Sequence, residues 1–476
     1  MKRTIYILSA VLAALSSLTS CEDYLGIKPR GYDVAEKIEH YEGLLFGTEM
    51  FMLNEVFPFM CFELTTDEDG FATAYSMIGA PETNAYKWEA DIFRADDICG
   101  EWNQPASCIY PLNIVINEVM SAADGSEEEK AALKAEARVL RAYMTFTMAQ
   151  FFGKPYDKST ASSDLCVPII TSASTMGQEF PRRTVKQVYD FVISEMKESI
   201  PLLQDRMEHP NRVFRTTGNA MLGKVLWMMG EYKEALAYLE VAMSSLSASG
   251  RRLMDYNTMV SGNEITYPVD ARQNPELLYS YQSMAHIWSA MYPSYYGSAL
   301  FSIKTDVMQK YFTKGDCRLC FYSGLNSSRT AYESLKGNDV YSLNLSHFTT
   351  SMGVDVADLY MMYSECLARD RQYAAARTAL EELRRHRMDP SVAAVTAGDG
   401  DDLITSIVEE RIREYMGYGN TWFDTRRLWN DPLFQNLKEM YVHSVGSSTY
   451  TLAEERLTLR IPPSILEWHQ EYEDNM

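Results

Sequence analysis

Histidine is scarce in this sequence of 476 residues, with seven in all, at positions 40, 209, 286, 347, 386, 443 and 469. No two stand four apart, so the His-Glu-x-x-His pattern that sets two imidazoles on one helix face around zinc is missing. A Gly-x-Ser-x-Gly nucleophile elbow and a phosphate-cradling Gly-x-x-x-x-Gly-Lys-Ser/Thr loop are missing too. Positive charge is in short supply: 44 Lys and Arg face 65 Asp and Glu, a net charge of -21. A surface this acidic opposes the phosphate attraction that dominates nucleic-acid binding, which excludes that class of partner. The eight cysteines are irregularly spaced, and setting Cys21 aside leaves an odd number, which is no disulfide framework and predicts buried free thiols. Cys317 and Cys320 form a lone C-x-x-C with no second pair for zinc. Beyond the first twenty residues no apolar run is long enough to span a membrane.

Carboxylates are plentiful, but the pairs that could hydrolyse a glycoside need to face each other across a cleft. Asp67, Glu68 and Asp69 are adjacent on a polar stretch and read as a solvated turn; the fragment Asp67-Glu68-Asp69-Gly70 lacks the later ligands of a calcium loop. Arg411, Arg426 and Arg427, close in sequence to Glu409, Glu410 and Asp424, read as an ion-pair network closing the last helices. The expectation is no catalysis, no cofactor and no metal.

At the start, Lys2 and Arg3 precede IYILSAVLAALSSL, a basic n-region and an apolar h-region of signal-peptide length. Leu18-Thr19-Ser20-Cys21 follows and resembles a bacterial lipobox, in which the Cys21 thiol is acylated and the chain is cut just before it. Removal of residues 1–20 takes Lys2 and Arg3 with it and moves the charge from -21 to -23. A cysteine carrying two or three acyl chains stays on a membrane, because one chain alone binds only marginally.

Further along, residues 33–60 read as a helix followed by an apolar stretch. Residues 61–104 break into short, polar, aromatic-rich pieces with no helical period. Helical patterning resumes at about 105 and runs through Ala137, Leu140, Arg141, Met144 and Met148, stopping at Gly153-Lys154-Pro155. Two hairpins then carry tetratricopeptide spacing, in which small residues let helices approach and large ones fill between them. The first holds Leu222, Gly223, Leu226, Gly230, Tyr232, Ala235, Leu239 and Ala242. The second, looser, holds Tyr363, Ser364, Leu367, Tyr373, Ala376, Leu380 and Leu383. Residues 251–352 intervene, rich in Tyr, Ser, Asn and Gly and broken by turn signals at Gly262-Asn263, Asn274-Pro275 and Lys314-Gly315.

Together these pieces resemble the SusD/RagB outer-membrane lipoproteins. Cys21-Glu22-Asp23-Tyr24-Leu25 with Pro29 is similar to the family's mature start, and Trp102, Tyr110, Ile114 and Asn117 to its W-N...Y..I..N pattern. ARVLRAYMTFTMAQFFG, 137–153, is similar to its "RA...F....yG" helix, and Asp355 to Leu383 to its "AE" hairpin. VEERIREYMGYGNTWFDTRRL resembles its C-terminal signature at Glu409, Glu410, Arg411, Glu414, Trp422, Asp424, Arg426 and Arg427. Met416 replaces the usual glutamate before Gly417, and Gly419-Asn420-Thr421 replaces the glycine-to-Arg-Trp step. LRIPPSIL at 459–466 is similar to the terminal "P-I-P..E" motif, with Ile465 and Leu466 where a glutamate is common.

The resemblance implies a mostly α fold: tetratricopeptide-like helical hairpins form a right-handed superhelical frame at about 33–60, 105–250 and 353–430. Loop and short-strand insertions at about 61–104 and 251–352 carry the ligand site, and 431–476 is a C-terminal motif region, all in one domain from 21 to 476. It implies a non-catalytic glycan-binding lipoprotein, lipid-anchored in the outer membrane and facing outward. Such a protein passes oligosaccharide to a SusC-like TonB-dependent transporter; RagB-type members handle peptides instead. A surface scaffold that docks other proteins is the rival from another class, and a surface glycosidase a third.

Sugars present flat C–H faces edged by hydroxyls, so a site needs exposed aromatic platforms and a few polar side chains on loops held by a rigid support. MAHIWSAMYPSYYGS, 284–298, is the best cluster. Trp288, Tyr292, Tyr295 and Tyr296 are the expected platforms, with Tyr75 and Trp88 as a second wall and His286, Asn274 and Gln282 as polar partners. Trp288 and Tyr292, four apart, would equally suit one inward helix face. Trp102 is assigned to the scaffold.

Overall fold

The structure, a computed structural model, describes residues 35–46, 56–77, 79–173, 179–205, 212–261, 264–265, 275–279, 282–283, 301–324, 340–343, 350–351 and 353–475. Cys21 and the aromatic cluster at 284–298 lie outside the described residues.

The chain opens with α1 (Ile38–Phe46), a short strand β1 (Leu64–Thr65), and α2 (Glu68–Met77) and α3 (Ala80–Tyr86). Two helices therefore occupy a stretch whose sequence carries no helical period; they are short, and α2 starts because the Asp67 carboxylate accepts from the Gly70 amide at 2.6 Å. Next comes α4 (Gly100–Glu118), which begins before the expected position and contains Pro105 and Pro111. A capping box, Ser126 with Glu129, starts α5 (Glu127–Phe152). Ala137, Leu140, Arg141, Met144 and Met148 are all buried on it. It ends before Gly153, where a β-carbon would stand 2.5 Å from Cys166 Sγ. β2 (Leu165–Pro168) and β3 (Arg182–Thr184) pair and lead into α6 (Val185–Ser199), α7 (Arg215–Met228) and α8 (Tyr232–Ser245).

In the late insertion β4 (Ser302–Lys304) is followed by α9 (Thr305–Tyr311), β5 (Tyr322–Gly324) and β6 (Val340–Leu343). These strands form one antiparallel sheet with β1, in the order β1-β4-β6-β5, with Leu64 opposite Ile303 and Tyr341 also opposite Ile303. The early and late insertions are thus joined by main-chain hydrogen bonds. The frame resumes with α10 (Val356–Arg369), α11 (Tyr373–Arg385), α12 (Asp401–Glu414) and α13 (Asn420–Leu428), then a hairpin of β7 (Val442–Val445) and β8 (Ser448–Thr451), and α14 (Pro463–Trp468).

Successive helices pack as neighbours from α4 to α8, and α8 lies against α10, so the two hairpins meet. Their turns match at the main-chain level. Gly230 and Arg371 each take a left-handed conformation, φ 77° and 64°. Behind them Glu231 N donates to Leu226 O at 3.0 Å and Gln372 N to Leu367 O at 2.8 Å. A single cluster of buried apolar residues runs from Tyr41 to Tyr472. The seven cysteines from Cys61 to Cys366 lie within it as buried free thiols.

Candidate functional site

Of the six expected platforms, Tyr75 and Trp88 are described, and they differ. Tyr75, on α2, is 50% exposed, and its hydroxyl accepts from Arg94 Nη2 at 3.3 Å. Arg94 drew no attention in the sequence, where nothing local places it beside Tyr75. Trp88 is 4% exposed. Its indole N–H donates to Met60 O at 3.0 Å, and its ring stacks on His443 at 4.1 Å with planes 15° apart. A ring with a face covered and its donor used by the main chain offers nothing to a ligand, so Trp88 belongs to the core and not to a second wall. Trp102 is buried in an edge-on contact with Phe152 at 5.0 Å. Gln282 lies in a two-residue strand paired with Thr350 and Ser351; Asn274 and His286 lie outside the described residues.

The charged C-terminal signature is an ion-pair chain, and it is buried. Arg411, on α12, binds Asp358 on α10 at 2.6 Å and Asp424 on α13 at 3.1 Å. Lys224 of α7 adds a second cation to Asp358 at 2.9 Å. Arg427 joins Asp424 to Glu365 at 3.1 and 2.8 Å, and Arg369 joins Glu365 to Asp431 at 2.8 Å each. The Arg427 and Arg411 guanidiniums both lie over the Trp227 ring, 3.7 and 4.5 Å from its centre. Burial pushes the Glu365 carboxyl up, but Arg427 and Arg369 outweigh it and hold it at about 2. Glu410 belongs to a neighbouring knot with Arg318, Arg384 and Arg413. There burial is again overcome, and the carboxyl sits at about 2.

Arg426 departs from the expected network. It turns away from these carboxylates and donates to Gly153 O at 2.7 Å, tying α13 to the end of α5, and burial lowers it to about 10.

Bordering this network, Tyr143, Phe146, Trp227 and Phe423 line a small, half-open cleft with a cavity of about 30 Å³. The cations lining it, Lys224 and Arg411, already share Asp358. Among the described residues no three metal-ligating side chains converge, and no helix is long and apolar enough to cross a membrane. The geometry is that of a braced frame presenting insertions.

Residues 34–226 match the family model described as "Starch-binding associating with outer membrane", and residues 326–467 match that of the SusD family. The chain belongs to the SusD/RagB family. Solved structures agree in fold. A SusD superfamily protein from Bacteroides vulgatus superposes with a TM-score of 0.70 at 17% identity, covering 92% of this chain and 99% of that one. One from Bacteroides fragilis gives 0.68 at 18%, covering 93% and 100%. A SusD-like carbohydrate binding protein from Bacteroides vulgatus gives 0.61 at 17%, covering 82% and 83%. No curated protein matches the sequence. In this SusD/RagB chain the early insertion lies inside the first match, whereas the stretch between the two matches, 227–325, contains Trp288, Tyr292, Tyr295 and Tyr296.

Proposed function

We propose that this chain is a surface-exposed, non-catalytic glycan-binding lipoprotein that captures oligosaccharide and delivers it to a SusC-like TonB-dependent outer-membrane transporter. The observation that carries the reading is the pair of family matches, one of them to a model described as starch-binding and outer-membrane-associated. The carbohydrate-binding relative of the same fold supports it. Stacking would fall to Trp288, Tyr292, Tyr295 and Tyr296, with Tyr75 and Arg94 at the edge of the early insertion. Cys21 would hold the lipid.

Calorimetry against plant, host and microbial glycans, with peptides as a parallel set, tests the binding. A glycan should bind, and Trp288→Ala should weaken it by roughly five- to a hundredfold if a sugar face stacked on the ring contributes about as much as a stacked nucleic-acid base, on the order of 1–3 kcal/mol. Cys21→Ala should release the protein from membranes with soluble binding intact. Absence of any glycan or peptide binding, together with failure to co-purify with an outer-membrane transporter, would overturn the reading. New reducing ends after incubation with polysaccharide would replace capture by hydrolysis.

A further inference from the structure

Cys317 and Cys320 take no part in the charged frame or in the proposed glycan site, yet the fold sets them together. Both lie in one 3₁₀ turn, Cys317–Phe321, and both are buried. A 3₁₀ helix completes a turn in three residues and rises about 2 Å per residue, so residues three apart eclipse with their Cα atoms about 6 Å apart. That separation falls inside the roughly 4.4–6.8 Å that a disulfide spans. The thiols are near enough for charge on Cys317 to oppose charge on Cys320. Arg318, between them, is engaged by Asp316, Glu410 and Glu414, and Leu319 is in the apolar core. No metal-ligating cluster forms around the pair, which leaves thiol chemistry.

The turn is pinned on all sides. Asp316 caps it by accepting from the Arg318 amide at 3.0 Å, Cys317 N donates to Arg387 O at 2.9 Å, and Asp389 N donates to Gly315 O at 2.8 Å. Phe321 meets Tyr256 edge-on at 5.6 Å. The next residue, Tyr322, begins β5, an outer strand of the sheet that joins the two insertions. Whatever fixes the turn fixes the start of that strand.

Burial decides when the pair can react, because the thiolate is the attacking form. In the folded chain Cys317 is pushed up to about 11 and Cys320 to about 12, in both cases first by burial. About one Cys317 in ten thousand is then thiolate at pH 7, against roughly three in a hundred for an unfolded cysteine near 8.5. An unfolded pair oxidises readily and a folded one resists.

We propose that Cys317 and Cys320 are a modification site, an intramolecular disulfide that forms while the exported chain is still folding and then staples the turn beneath β5. The Cys317 thiolate attacks one sulfur of an acceptor disulfide, giving a mixed disulfide and releasing one acceptor thiol. The Cys320 thiolate then attacks Cys317 Sγ and releases the second. Two cysteine thiols are oxidised, one acceptor disulfide is reduced to two thiols, and the two cysteine protons end on those thiols. The inference rests on export to an oxidising compartment, where such acceptors operate, and not on glycan binding.

The test refolds the reduced full chain from urea with oxidised glutathione, blocks free thiols with N-ethylmaleimide in denaturant, and weighs the tryptic peptides. Trypsin cuts after Arg318, between the two cysteines, so peptides 315–318 and 319–329 should appear as one linked species that separates on reduction. Both peptides carrying maleimide would overturn the proposal. Reduced protein given the same oxidant without unfolding should form the link at least a hundredfold more slowly; equal rates would overturn its formation before burial. Hydrogen exchange in residues 315–324 should be slower in the linked form than in the reduced one, and equal exchange would overturn the staple. Protein blocked in intact cells and recovered from outer membranes should carry the linked pair, and maleimide on both cysteines there would overturn its formation on export. A linked pair in a chain that binds no glycan would sink the functional reading and leave the disulfide standing.

Discussion

Among the described residues, two that are not glycine take left-handed backbone conformations, Trp88 and Arg371, and they do so for different reasons. Trp88 is held by stacking and a hydrogen bond, which repay the backbone cost. Arg371 is exposed at the α10–α11 turn, in the position that Gly230 fills between α7 and α8. Nothing about its side chain requires arginine, so Arg371→Gly should stabilise the protein by about 0.5–1 kcal/mol, the left-handed penalty less the entropy glycine brings to the unfolded chain. Gly230→Ala should cost a similar amount, and urea unfolding of both variants measures the pair. At this scale the sequence misleads in one direction. Tyr75 and Trp88 look alike in a polar, aromatic-rich stretch, and only contacts to Met60 and to His443, far along the chain, make one of them core.

Among the elements, the α7–α8 hairpin depends on how closely two helices approach. A β-carbon on Gly223 would lie 2.5 Å from Leu239 Cδ2. Gly223→Ala should therefore destabilise by about 1–3 kcal/mol through overpacking. Gly43, inside α1, has nothing within 4 Å of its β-carbon position, and Gly43→Ala should stabilise by up to about 1 kcal/mol because it only improves helix propensity. Opposite signs for one chemical change, measured by thermal unfolding, check the packing argument. In the second hairpin Ser364 stands where Gly223 does, and its hydroxyl donates to Ala376 O at 2.7 Å. Both hairpins were legible because their pattern is local, with small and large residues at helical spacing and a turn two residues past the helix. The sheet was not, because β1 has two residues and its partner β4 lies far along the chain. Period-two alternation cannot register over so short a strand. The helices α2 and α3 escaped for a similar reason, as neither is long enough to show a period beside its polar neighbours.

For the whole molecule, the frame is closed by charge pairs that the signature Arg411, Asp424 and Arg427 announce but whose partners Asp358, Glu365 and Asp431 only the fold supplies. The network sets the acid limb of stability. Glu365 and Glu410, both held at about 2, contribute stability that is complete above the unfolded carboxyl value of about 4.3 and disappears as pH falls toward their folded values. The other limb has a different source. Glu82, 5% exposed and with Oε2 unpartnered, is raised to about 7, first by burial and then by the nearby Glu101 and Asp97 carboxylates. A raised carboxyl favours folding while protonated, so that stability falls progressively from about pH 4.3 to 7 as the folded chain alone retains the proton. Urea midpoints between pH 2 and 9 should trace a maximum near pH 4–5. Glu82→Gln should make the alkaline side shallower and gain roughly 2–3 kcal/mol at pH 8, with Asp355 and Glu101, which burial raises to about 7 and about 6, keeping the remainder of that slope and the acid side unchanged. Arg427→Met should do the reverse, costing about 3–5 kcal/mol at pH 7 by stranding Glu365 and shrinking the acid limb as that carboxyl returns to the ordinary range. If either variant shifted both limbs together, the two sets of carboxylates would be coupled through the core and the assignment of one limb to each would fail.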